Sequence, residues 1–220
     1  MDKLQKSTPS ESIRVPILKS KRLIIRPLMK GDIEKRLKWK KYHDPLFAHY
    51  NIPKMTASQK KEWYWKKKRN PEMLYQSITS PRGRLLGFLN IFDIDWAKRK
   101  AELGIYFSPD SIDKGYGTEA IMLFLPYYFE SLNFREMYLN VASLNKRAIK
   151  CYYKCGFEIS RTTYYRHDPR SKIDIFGDAR FRDVRKYFKR EGDKVLVQFK
   201  VMKLSREKWH ALNAKSGESG

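Results

Sequence analysis

One stretch constrains this chain more than any other. Leu103-Gly104-Ile105-Tyr106-Phe107 is an apolar run of strand character. It is followed by Ile112-Asp113-Lys114-Gly115-Tyr116-Gly117-Thr118-Glu119-Ala120 and then by an apolar segment of helical length, Ile121 to Leu132. A strand that passes through a glycine loop into a helix leaves backbone N–H groups free at the helix start. The macrodipole adds partial positive charge there, and the two together favour an anion such as phosphate. Gly115 and Gly117 let a ligand approach the backbone with no Cβ in the way. Lys114 adds a positive charge. The N–H groups from Lys114 to Thr118 are therefore expected to hold a diphosphate.

The loop is not a Walker sequence, because Gly117-Thr118 has no lysine between its two residues. Gly115 to Ala120 satisfies the loose dinucleotide pattern, with alanine in place of the third glycine. Taken alone that is weak, since a glycine pair is more often simply a turn.

The rest of the chain alternates between the periods of strands and helices. Strands are expected over Arg22 to Leu28, Leu74 to Thr79, Leu85 to Phe92, Ala101 to Phe107, Glu136 to Ala142, Phe157 to Thr163 and Val195 to Leu204. Helices are expected over Ile33 to Lys41 with Asp32 as N-cap, Ser58 to Lys68 with Ser58 as cap, Thr118 to Ser131, and Lys146 to Lys154 closed by Gly156. Pro126 should kink the third of these. The strands cluster in consecutive groups, which implies an α+β domain with a mixed, mostly antiparallel sheet flanked by helices. Residues 1–16 read as a mobile leader, 17–204 as one domain with an insertion at about 164–190, and 205–220 as a polar tail.

With 220 residues, 41% hydrophobic and 14% aromatic, the chain can bury one real core. It shows no run approaching the ~18 apolar residues of a membrane span and no signal-peptide core, so a cytoplasmic protein with no membrane partner is expected. Cys151 and Cys155 read as small buried hydrophobes. Two cysteines and four histidines form no zinc signature, and no metal is expected. Lys and Arg number 47 against 24 Asp and Glu, a formal charge of +23. Such a surface attracts polyanions, ribosomes and RNA included, or it serves solubility alone. Trp63-Tyr64-Trp65 beside Lys66 to Arg69 reads either as a stacking and neutralising surface for nucleic acid or as a helix burying its aromatics.

A second motif gives the glycine loop its meaning. Asn145, Ala148, Tyr152, Lys154, Gly156 and Phe157 match the Asn, Ala-x-x-x-Tyr-x-Lys-x-Gly-Phe motif, and Ile112 to Gly117 matches the Gln/Arg-x-x-Gly-x-Gly/Ala loop. In both, the chain resembles the GNAT N-acetyltransferases, over roughly residues 20–163 and the last strand. Lys21 to Leu28 is similar to the first strand of the branch that acetylates ribosomal-protein N-termini. The resemblance implies a GNAT-like acyl-CoA N-acyltransferase fold and acetyl-CoA as co-substrate. It places the diphosphate on Ile112, Asp113, Lys114, Gly115, Tyr116, Gly117 and Thr118, and the pantetheine arm on Ile105, Tyr106, Phe107 and Asn145. Ile112 departs from the family's Gln/Arg, so a side-chain contact to phosphate is lost there and Lys114 or another base is expected to compensate. Tyr153 stands where the family usually has an acid.

The resemblance further implies direct attack of an amine on the thioester. Tyr152 would donate a proton or hydrogen bond to the leaving sulfur. Glu102 is the candidate base; otherwise it is an exposed strand-end carboxylate or the partner of an arginine. The expected acceptor is a protein or peptide N-terminus, because a net charge of +23 would repel a polyamine. The alternatives are a small amine such as a polyamine, and a nucleic-acid-binding module on the same fold. A homodimer is a further expectation.

Overall fold

The structure, a computed structural model, describes residues 16–167 and 173–217. Residues 1–15 of the expected leader and the middle of the expected insertion, 168–172, lie outside the described residues. The described strands form one nine-stranded sheet. Its first half is a meander: β1 (Leu18–Lys19), β2 (Ile24–Pro27), β3 (Leu74–Thr79), β4 (Leu85–Asp95) and β5 (Lys100–Phe107), each antiparallel to the next. Its second half is β6 (Glu136–Ala142), β9 (Lys194–Ser205) and β7 (Glu158–Arg166), again antiparallel, with β8 (Phe188–Glu191) also on β9.

The halves meet at β5 and β6, which are parallel. Parallel neighbours need a crossover, and here it is the glycine loop plus α3 (Tyr116–Pro126). β5 and β6 pair at three positions, Lys100 with Glu136, Ala101 with Met137 and Glu102 with Tyr138. Beyond Glu102 the strands part.

Strand alternation sorts the core into two faces. Leu89, Ile91 and Leu103 join Ile121, Phe124 and Leu125 of α3, and Ile149 and Tyr152 of α4 (Lys146–Lys154), in the larger core. On the opposite face Phe88 and Tyr75 pack against Trp39, which follows α1 (Asp32–Leu37), and Trp63 of α2 (Ala57–Lys68). Trp63 thus belongs to the fold, while Trp65 carries the Arg69 guanidinium 4.1 Å from its ring centroid.

α4 ends in a Schellman arrangement. The Phe157 N–H donates to the Tyr152 carbonyl at 3.1 Å and the Gly156 N–H to the Tyr153 carbonyl at 3.0 Å. Gly156 has φ +89°, which a Cβ would strain.

Several expectations change. Asp32 is not a side-chain cap of α1; it is 1% exposed and accepts hydrogen bonds from both Arg26 nitrogens, the Ser77 hydroxyl and the Met29 N–H. α2 is capped by Thr56 in a capping box with Gln59, not by Ser58. The helix expected through Ser131 is α-helical to Pro126 and continues as a π-turn, Tyr127–Ser131. The polar tail is a helix, α5 (Arg206–Gly217), whose Trp209 packs on Phe129 with ring centroids 5.4 Å apart. The expected insertion, about 164–190, includes the end of β7, a 3₁₀ stretch, Ala179–Tyr187, and the start of β8, and its Ile175, Phe181 and Phe188 form a small core with Val197 of β9.

Candidate active site

Where β5 and β6 part, a cleft of about 1380 Å³ opens. Leu103 to Phe107 form one wall and Asn140 to Ala142 the other. β4 satisfies one edge of β5 throughout, while the edge facing β6 has no strand partner from Leu103 onward. An extended amide chain can pair there as a strand does. Ile105, Tyr106 and Phe107 all line the cleft. The Phe107 carbonyl is already engaged, accepting from the Tyr42 hydroxyl. The Tyr106 hydroxyl meets that of Tyr75, and its ring stacks on Tyr50 at 6.1 Å.

One end of the cleft is the glycine loop. Ile112, Asp113, Gly115, Tyr116, Gly117 and Thr118 line it. Two residues flanking Lys114 make the loop turn tightly: Asp113 at φ +59° and Gly115 at φ +76°. The N–H groups of Tyr116, Gly117 and Thr118 belong to the first turn of α3 and have no intrahelical acceptor. Gly117 lies against α4, since a Cβ there would stand 3.1 Å from Cys151 Sγ.

Lys114 alone of the loop residues is turned elsewhere. Its ammonium donates to the Asp110 carbonyl at 2.6 Å and does not line the cleft. Other cations surround the loop. Arg22 bridges the Glu119 carboxylate at 2.5 Å and the Lys114 carbonyl at 2.9 Å, and its guanidinium lies 5.1 Å from the Tyr116 centroid. Arg147 reaches Asp113 at 3.4 Å. Sequence reasoning missed Arg22 because 92 positions separate it from Lys114, and no local pattern joins them.

Asn145 lines the cleft and caps α4, its Oδ1 accepting from the Ala148 N–H at 3.2 Å. Of the adjacent tyrosines, Tyr153 is 49% exposed, whereas Tyr152 is buried and faces the cleft. Burial, with nearby Tyr50 and the two cysteines, pushes the Tyr152 hydroxyl far above its ordinary range, so it is a donor at any working pH.

Glu102 lies on the cleft floor at the last paired position of β5. Among the described residues it has no arginine partner. Burial raises its carboxyl above the usual range, the hydrogen bonds from Asn140 oppose that, and the charge of Asp93 adds to it. Asn140 in turn accepts from the Tyr165 hydroxyl at 3.2 Å. Gly104 leaves the space into which Asn90 and Phe92 fold; a Cβ there would meet the Asn90 amide at 2.9 Å and the Phe92 ring at 3.0 Å. Asn90, Asn140 and Tyr165, all missed from sequence, complete this polar end, and Tyr50, also missed, lines the cleft beside Arg147 and Tyr152. They come from separate segments, and no spacing signals their convergence. Among the described residues no group of three or more His, Cys, Asp or Glu side chains converges on a metal position. No helix among them is long and apolar enough to cross a membrane.

The cleft thus has an anion-binding end, an unpaired strand edge, a buried tyrosine donor and a carboxylate with a raised pKa. The fold is that of a spermidine N-acetyltransferase from Vibrio cholerae solved in complex with CoA and spermine, with a TM-score of 0.62 at 20% identity over 86% of this chain and 99% of that one. In sequence, the spermidine N(1)-acetyltransferase of Vibrio cholerae is 27% identical over 111 residues, 50% of this chain and 60% of that protein. The enzyme of the same name from Escherichia coli K12 is 36% identical over 77 residues, 35% of this chain and 41% of that protein. The matched stretches therefore span less than two thirds of these curated relatives. The family model for the acetyltransferase (GNAT) domain matches residues 22–158, both cleft walls and the loop included, and the chain belongs to that family.

Proposed function

We propose that this protein transfers the acetyl group of acetyl-CoA to a primary amine of a polyamine. The observation that carries the reading is the parting of β5 and β6, with the glycine loop at one end and Glu102 and Tyr152 in the same cleft. The diphosphate lies on the α3 N-terminus, and the pantetheine amides pair with the free edge of β5. Holding amine and thioester in line supplies much of the rate. An alkyl ammonium of pKa ~10.4 must lose a proton before it attacks. Glu102 takes that proton, directly or through a water, and its raised pKa suits the task. Tyr152 donates to the departing sulfur.

The acceptor differs from the one anticipated from charge. Net charge argued for a protein N-terminus carried on a ribosome or other ribonucleoprotein, and against a cation. Both curated relatives are named for spermidine, and nothing found supports the ribosomal branch. Local charge also departs from the total. The cations of α4, Lys146, Arg147, Lys150 and Lys154, line the cleft on the side of the loop, while Glu102 stands opposite Phe92 and beside Asn140, which Tyr165 contacts. A carboxylate with aromatic walls suits an alkyl chain carrying ammonium groups.

The test is an acceptor panel with acetyl-CoA: spermidine, a peptide with a free N-terminus, and an N-blocked lysine peptide. Spermidine should have the highest kcat/KM, by about tenfold or more, a difference of about 1.4 kcal/mol. A preference for the free peptide N-terminus would overturn the polyamine reading and restore the protein acceptor.

A further inference from the structure

Cys151 and Cys155 stand one turn apart on α4 and are both free thiols. Cys155 is 2% exposed, while Cys151 is half-buried and forms part of the cleft wall. The Cys151 sulfur packs against the first turn of α3. It lies 3.3 Å from Thr118 Oγ1, and it occupies the space that Gly117 leaves by having no Cβ. Cys155 Sγ lies 3.9 Å from the Thr118 carbonyl and within hydrogen-bond reach of Cys151.

This setting favours the Cys151 thiolate. The hydrogen bond from Cys155 and that from Thr118 outweigh burial, and Lys154 and Arg147 add positive charge, so the thiol is held below its ordinary range. Cys155 moves the other way, raised by the same hydrogen bond and by burial, and stays a protonated donor. The helix N-terminus beside Cys151 acts in the same sense. The role given to Glu102 and Tyr152 uses neither thiol.

We propose that the Cys151–Cys155 pair is an oxidant-sensitive site in the cleft wall, where a peroxide converts Cys151 to a sulfenic acid and thereby closes the phosphate loop to acetyl-CoA. This rests on the cofactor reading above. The Cys151 thiolate attacks one peroxide oxygen. The S–O bond forms as the O–O bond breaks, and the hydroxide released takes up the proton that the thiol gave away, leaving as water. Sulfur is oxidised by two electrons and the peroxide is reduced. An added oxygen has no room between this sulfur and Gly117 or Thr118 unless the first turn of α3 moves. That turn carries the N–H groups assigned to the diphosphate. A thiol reductant reverses the step.

The experiment starts with acetyl-CoA titrated into the untreated, reduced protein. Absent binding there would defeat the cofactor reading itself, separately from this proposal. Protein treated with hydrogen peroxide is then labelled with dimedone, mapped by mass spectrometry, and titrated again. The label should fall on Cys151, acetyl-CoA affinity should drop about tenfold or more, and dithiothreitol applied to unlabelled, oxidised protein should restore it. Prior addition of acetyl-CoA should suppress labelling. Cys151→Ala should keep its affinity through peroxide treatment, and Cys155→Ala, which retains Cys151, should label more slowly. Absence of label on Cys151, labelling with unchanged affinity, or equal loss of affinity in Cys151→Ala would each overturn the proposal.

Discussion

Glu102 and Asn140 face each other across the point where the parallel strands β5 and β6 part, with the side chain and backbone N–H of Asn140 turned to favour the carboxylate. Burial raises the carboxyl and Asn140 restrains the rise. A base works only when deprotonated, so kcat/KM should fall on the acid side, with a limb above the ordinary glutamate range of about 4.3. Asn140→Ala removes one restraining bond and should move that limb to higher pH. Glu102→Gln should lower kcat/KM about 10²-fold or more and abolish the limb. A wild-type profile carried over unchanged into Glu102→Gln would remove Glu102 from the mechanism.

Tyr152 is buried against Phe157, with ring centroids 6.0 Å apart, and its ring packs whether or not it bears a hydroxyl. Tyr152→Phe should therefore fold normally. Acetyl-CoA affinity should stay within about twofold, while kcat falls about 10²-fold through loss of the donor to the sulfur. Equal losses in kcat and in affinity would mark Tyr152 as a packing residue.

Asp32 ties α1 to the sheet through Arg26 and Ser77. Burial acts to raise its carboxyl, but the hydrogen bonds from Arg26, Ser77 and the Met29 N–H prevail and hold it below the usual range. A depressed carboxylate contributes stability above its unfolded pKa of about 3.9 and loses it as pH falls through the lower folded value. Asp32→Asn leaves Arg26 without its charge partner and should cost about 3 kcal/mol at neutral pH. In thermal unfolding the gap between wild type and variant should hold from about pH 7 to 5 and narrow below about pH 4. A gap that widened on acidification would contradict the sign.

The strands most legible in sequence were those with clean apolar runs. Leu74–Thr79 and Glu136–Ala142 lie where the pattern put them, as does α4 between Asn145 and Gly156. The glycine loop was legible too, because its constraints are local, whereas the choice of Tyr152 over Tyr153 came from the family resemblance and agrees with the burial of Tyr152. What failed was set by distant partners. Asp32 looks like a cap in sequence, and only Arg26 and Ser77 make it a buried anchor. The tail gives no amphipathic signal, and its helix is secured by Trp209 against Phe129 and by Arg206, Lys208 and His210 on Asn133, Glu158 and Glu130. Arg22 at the loop, and Asn140 with Tyr165 beside Glu102, arise from segments that meet only when the sheet forms. Total charge is blind for the same reason: it says nothing of where one carboxylate stands.

The most direct test of the account is calorimetric titration of the reduced protein with acetyl-CoA, with ATP as an anionic control, at salt high enough to screen attraction to a surface of charge +23. The account predicts saturable one-to-one binding of acetyl-CoA well above that of ATP, because the pantetheine arm adds its pairing with β5 to the diphosphate contacts. Equal or absent binding of the two would contradict it, and the parting of β5 and β6 would then be a feature of the fold with no cofactor to hold.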